Sequence, residues 1–475
     1  MVQAGLDEGP GEGERSSGRY VLRVTRQIDL SRVGARVVLA TAIAFLLAAA
    51  ALLGRVGSDA QWLAALGHVI VHRHAIPAGV PFAAAPTGHW PNPLVLAELI
   101  FDGLQSALGA RGLMLAQLAA TGGGLVLLAR DARAEGAEPI GTAGALLLAG
   151  VGALPSLAIA RVQLFSLVLF PALLALLRAE SRRPSQRIWL VVPLLALWSN
   201  LHGAALLGFG VTAGYLVLQR GRRDPWVAGA VLVLGAGALC LTPAGLHTVD
   251  YYRGVLTNAA AQQGAGEWGP LSLTSPLDVV LVLAALLLLW RAWRARPRMW
   301  EGAVLVALAV LTVRADRNGV WLLMFAVAPA ARRLHPARAL RVLTPVAAAL
   351  AAVVLVVSIV RGPAPDGASG PIVSAALALA HGSPVLAAGT MDEQVAVAGG
   401  RIWAGDPIDA FPHRVQVAYL DWLDGGRGGA RAVTPAVRVA LVAPGSATQR
   451  LMAQMPGFVV ARRSPTALLY ARPSG

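Results

Sequence analysis

The sequence has no lysine, one cysteine and little charge: 14% of its 475 residues are charged, against about 25% in an ordinary soluble domain. That deficit, with 56% hydrophobic residues, excludes a soluble globular protein and places the chain in a membrane. Cys240 stands alone inside an apolar run, which excludes an internal disulfide or a thiolate metal cluster. The net charge of +15 comes from arginine alone. Those arginines are dispersed between apolar runs rather than gathered on one soluble face, which excludes a nucleic-acid partner. No internal repeat is present at a period of roughly 20 to 50 residues. Gly122–Gly124 and Gly150 with Gly152 lack the strand-to-helix setting of a phosphate loop, so they predict close helix packing.

What the chain does have is apolar runs of roughly 15 to 22 residues, near the length of about 20 that a helix needs to cross hydrocarbon. They predict a mainly α, polytopic membrane protein of about 11 spans, from Ala35–Leu53 to Val342–Val360. The first run follows a polar stretch and lacks a small-residue cleavage site at signal-peptide distance, so it reads as a signal anchor. Arginine clusters such as Arg178–Arg187, Arg220–Arg223 and Arg291–Arg298 fall on alternate loops, which assigns that side to the cytoplasm. Three regions follow: a cytoplasmic tail over 1–34, a transmembrane domain over 35–361 with a large first outer loop at 55–111, and an extracytoplasmic domain over 362–475. In the last, VRVALVA, FVVARR and ALLYAR alternate like strands around a short helix at Ser446–Met455, as in a small α/β domain.

Polar residues inside or beside spans are costly, so their placement carries information. Here the carboxylates, asparagines and histidines gather at the outer side, whereas the inner side shows almost only arginine. In the first outer loop these are Asp59, Trp62, His68, Trp90, Asn92 and Glu98; at outer span ends they are Arg161, Gln163, Asn200, His202, Arg314 and Arg317. Each has an ordinary reading. Tryptophan and arginine favour the interface, Asp59 or Ser58 could cap a helix, and Asp316 could pair with its arginine neighbours. As a set they read as a polar chamber at the outer surface. Trp62, Leu66, Val69 and Ile70 recur at helical spacing, which predicts an amphipathic helix starting at Asp59 and lying in the membrane plane. His68 and His72 would share a face as metal ligands do, but the glutamate of the zinc-protease pattern does not follow, so a divalent metal is a minor expectation.

The order of these features resembles the polytopic glycosyltransferases of the GT-C superfamily, in their bacterial mannosyltransferase-like branch. The carrying residues are D-x-x-W-x-x-x-x-G-x-x-I at Asp59–Ile70, GHWPNPLVLAE ending at Glu98, RVQLFSLVLF at Arg161–Phe170 and LWSNLHG at Leu197–Gly203. EWGPLSLTSP at Glu267–Pro276, RADRNG at Arg314–Gly319 and GGRIWAGDPIDAF at Gly399–Phe411 continue it, the last resembling a strand of that branch's outer domain. The resemblance implies a sugar carried on polyprenyl phosphate and passed with inversion to an envelope glycan, lipid or protein at the outer face of a bacterial plasma membrane. It also implies that Asp59 is the base.

The residues suit that chemistry: a carboxylate takes the acceptor's proton while cations steady the departing phosphate. Asp59 would do the first. Arg161, His202, Arg314 and Arg317 would hold the phosphate, with Trp62, His68, Trp90, Asn92, Glu98, Gln163 and Asn200 lining the pocket. On this reading Asp59 shares an open outer cavity with Arg161, His202 or Arg317. A non-catalytic GT-C-like scaffold is the alternative. A transporter ranks below it, because the ionisable groups sit at span ends rather than mid-membrane.

Overall fold

Backbone that enters hydrocarbon finds no water for its amides, so apolar stretches of this length are driven into helix. The computed structural model describes residues 37–88, 90–332, 344–364, 367 and 370–473. Over the described residues every predicted apolar stretch is helical; the tail expected over 1–34 lies outside them. Against the expected count of about 11 crossings, three helices among the described residues are long and apolar enough to cross a membrane unaided: Ala110–Ala134, Leu164–Arg182 and Pro276–Arg294. Local breaks shorten others. The stretch predicted as one run over Gly141–Ala158 turns at Ala153, and Pro155 opens a second short helix, giving Pro139–Gly152 and Leu154–Ala158.

At the centre of the bundle lies Gly319–Ala331, every residue of which is buried. It packs on Pro139–Gly152, Pro276–Arg294 and Met299–Arg314. Small residues set the closest approaches: a Cβ at Gly124 would lie 2.1 Å from the Leu167 carbonyl oxygen, so Ala110–Ala134 meets Leu164–Arg182 at backbone distance.

At the arginine-rich end the structure corrects the expectation of nearly unaccompanied arginine. Arg178 is fully buried and bonded to Asp131, to Glu301 at 3.1 Å and to the Phe325 carbonyl at 2.8 Å. Glu135 pairs with Arg182, Arg298 and Arg332. The carboxylates sit at two helix ends, Asp131 and Glu135 at the close of Ala110–Ala134 and Glu301 at the start of Met299–Arg314, so charge pairing ties these ends to arginines of neighbouring elements.

The opposite end carries the loops and the tail domain. Helices Ala60–Arg73 and Val95–Leu108 pack on each other, and β1 (Arg55–Val56) pairs in parallel with β2 (Ile159–Ala160). The tail domain folds a four-stranded sheet from β3 (Val385–Ala387), β4 (Val439–Val442), β5 (Val459–Arg463) and β6 (Leu468–Ala471), in the order β3-β4-β6-β5. β3 and β4 are parallel, the other pairs antiparallel. The strand-like segment Gly399–Phe411 departs from expectation. Only Ile402 bridges, to Val385 on one side and to Ala83 of the first loop on the other, and the chain then leaves the sheet as a loop. Ile402, together with the Ala85 amide bonded to the Trp403 carbonyl, joins the first loop to the tail sheet before residues 404–411 run toward the bundle.

Candidate active site

Loops from both regions close around a cavity of about 610 Å³. Asp59 enters it from the start of helix Ala60–Arg73, in a left-handed backbone conformation with φ 78°. Its side chain does not cap the helix; Oδ1 accepts from Trp62 Nε1 at 3.3 Å. Burial lifts the Asp59 carboxyl above its ordinary range, and Arg161, the Trp62 bond and Arg317 pull it back in part.

Arg317 faces the same cavity from the turn Asp316–Asn318, its guanidinium stacked 4.4 Å over the Trp268 ring. Arg161 is buried next to it and ion-paired with Glu267. His202 reaches the cavity from the break between Val191–Ser199 and Ala205–Leu218. Its Nδ1 lies 2.6 Å from Ser166 Oγ, which accepts from Trp198 Nε1 at 2.6 Å. The indole takes one lone pair of Ser166 Oγ and leaves the hydroxyl hydrogen free to be given to His202 Nδ1, an arrangement that puts the imidazole proton on Nε2. Burial, then the charges of Arg317 and Arg161, push His202 down to about 3, so the ring stays a neutral donor.

The tail domain supplies the facing wall. Asp406 and Asp409 line the cavity, and Asp409 Oδ2 accepts from Trp90 Nε1 at 2.7 Å. Burial raises both, Asp409 to about 6 and Asp406 well above its ordinary range, with Asp392, Asp59 and Asp409 adding to the rise at Asp406. Farther along, Leu206, Leu207 and Val211 of one helix and Val304, Leu308 and Leu311 of another form an apolar wall. The chamber thus has a cationic side, an acidic side and a hydrocarbon side.

No family model matches the sequence, and neither does any curated protein. The structure, however, is similar to ArnT from Cupriavidus metallidurans bound to undecaprenyl phosphate, with a TM-score of 0.52 and 14% identity over 97% of this chain and 99% of that one. The chain shares the fold of that ArnT structure. The apo state of the same ArnT gives a TM-score of 0.49 at 14% identity over 96% of this chain and 99% of that one. Arabinofuranosyltransferase AftD from mycobacteria gives 0.49 at 15% identity over 92% of this chain and 41% of AftD.

On this scaffold the residues singled out in the sequence fall into two groups. Asp59, Trp62, Trp90, Gln163, His202 and Arg317 line the cavity, with Arg161 beside it. The others lie elsewhere. Arg314, the last residue of its helix, is exposed and off the cavity, because the turn that follows presents Arg317 instead. Asn92 and Glu98 are buried together, Asn92 Nδ2 donating to Glu98 Oε2 at 2.9 Å, and they shape the loop from behind. Asn200 donates to the carbonyls of Ala196 and Leu241, closing two helix ends. His68 is largely exposed, 3.5 Å from Asp102, with its ring against His72 at 4.1 Å. Among the described residues no group of three or more histidines, cysteines and acids is placed to hold a metal.

Sequence reasoning missed Asp406, Asp409 and Trp268 as cavity residues. The available signal was two aspartates three apart in GDPID and a tryptophan in the EWGP motif.

Proposed function

We propose that this chain is a membrane glycosyltransferase that moves a sugar from a polyprenyl-phosphate donor to an acceptor hydroxyl at the extracytoplasmic face, with Asp59 as base. The observation that carries the reading is the convergence of Asp59, His202 and Arg317 on one cavity that continues along an apolar wall. The apolar wall accepts isoprenoid chain, and the undecaprenyl phosphate held by the ArnT structure is a ligand of that class. In the reaction the acceptor oxygen gives its proton to the Asp59 carboxylate and bonds to the anomeric carbon. The bond from that carbon to the phosphate oxygen breaks on the opposite face, which inverts the centre. The lipid phosphate leaves with its charge met by the Arg317 guanidinium and the His202 Nε2 proton. Arg161 strengthens the positive field there, tempered by Glu267.

The arginine-rich loops at the far end support a plasma-membrane orientation with the cavity outward. Envelope glycan, lipid or protein fits the acceptor role. The test is transfer of labelled sugar from a panel of polyprenyl-phosphate sugars in membranes carrying wild type or Asp59→Asn. Transfer by wild type that disappears in the variant supports the assignment; equal transfer by both removes Asp59 as base.

A further inference from the structure

A helix start leaves amides that need an acceptor, and serine or aspartate at the cap ordinarily provides it. Helix Ala60–Arg73 begins after Ser58 and Asp59, yet Asp59 makes no side-chain cap. The acceptor comes instead from Glu393, 334 residues along the chain in the tail domain. Its Oε1 accepts from the Asp59 amide at 2.8 Å, and its Oε2 from the amides of Gln61 and Trp62 at 2.9 and 3.2 Å. Glu393 is buried at the head of the contact between helices Met391–Val397 and Ala60–Arg73.

We propose that Glu393 is a positioning residue for the transfer reaction: by capping this helix in place of Asp59, it leaves the Asp59 carboxylate turned into the cavity. The effect on rate rests on the transferase reading; the cap does not. Three amides converge on both oxygens of Glu393, so a side chain with two acceptor oxygens is required. Glutamine offers one acceptor and sets its NH₂ against a backbone N–H, and the freed amides would then draw the Asp59 carboxylate back onto themselves. Aspartate keeps both acceptors on a shorter stem.

The experiment compares full-length wild type, Glu393→Gln and Glu393→Asp by hydrogen exchange at the amides of Asp59, Gln61 and Trp62, together with kcat and KM for the lipid donor. Expected for Glu393→Gln are exchange faster by about tenfold or more at those amides, unchanged exchange in the tail helix Ala447–Gln454, and a kcat lower by on the order of 100-fold. KM should change little, because His202 and Arg317 are untouched, and Glu393→Asp should recover part of both effects. Unchanged exchange in Glu393→Gln overturns the proposal, as does faster exchange with kcat intact. If wild type transfers no sugar from any donor, the transferase reading fails by itself. The structure of Glu393→Gln then decides: an Asp59 carboxylate swung onto the Gln61 and Trp62 amides sustains the positioning role, and an unmoved one overturns it.

Discussion

A base has to be ionised before it can take a proton, and Asp59 is held in surroundings that resist its ionisation. Burial raises its pKa, and Arg161, Trp62 and Arg317 lower it in part. The kcat/KM profile should therefore fall as pH drops through a value above the ordinary aspartate pKa of about 3.9. Arg317→Gln removes a cation that favours the charged form, so it should move that limb to higher pH; a limb that stays in place would show that another group titrates. His202, pushed down to about 3, stays neutral across this range and adds no limb. Asp59→Asn should lower turnover by roughly 10²- to 10⁴-fold while donor binding persists. Ser166→Ala leaves the His202 tautomer unfixed, and kcat/KM should drop about 5- to 10-fold with the limb unmoved. Much of this was legible in single residues. Asp59 and His202 interrupt apolar sequence at the outer side, although Asp59 reads there equally as a helix cap. Arg314 and Arg317 look alike on the page, because which of the two faces inward depends on the turn between them, and spacing alone does not set that.

Among the elements, the pair Ala60–Arg73 and Val95–Leu108 carries the site. Its contact depends on Gly67, where an added Cβ would lie 2.1 Å from the Glu98 carbonyl oxygen. Backbone cannot yield as a side chain can, so Gly67→Ala should part the helices and cost about 1 to 3 kcal/mol. That would appear as a lower unfolding temperature together with lost transfer, since Asp59 starts this helix; unaltered stability would show that the pair tolerates the separation. Of the stripe Trp62, Leu66, Val69 and Ile70 read from helical spacing, Val69 is half-buried and the others are buried. The membrane-plane helix it implied is covered more widely than expected, with Leu63, Ala64 and Ala65 also buried, and the tail helix Met391–Val397 packs against it. The Glu393 cap and the acids around Arg178 were hidden for one reason: each joins residues far apart in sequence, so no local pattern records it.

Taken whole, the molecule is held at its two ends by opposite kinds of charge. At the arginine-rich end acids meet guanidinium groups, whereas at the junction with the tail domain carboxylates crowd one another. Burial lifts Asp392 to about 7 against the hydrogen bonds it accepts, lifts Asp409 to about 6, and with neighbouring acids holds Glu393 and Asp406 well above the ordinary range. In the unfolded chain such groups titrate near 3.9 to 4.3. The folded values are the higher ones, so the stability these acids contribute is complete below about 4 and is lost as pH rises through the folded values. The purified protein should therefore unfold at a lower temperature at pH 8 than at pH 5.5. Hydrogen exchange over residues 391–411 should quicken before that of Gly319–Ala331, because charge accumulates at the junction and not in the central helix. Asp409→Asn removes one of the titrating acids and should flatten the dependence. An unfolding temperature that climbs steadily from pH 5.5 to 8 would mean that the Arg161–Glu267 pair and the arginine-rich end outweigh the crowded acids of the junction.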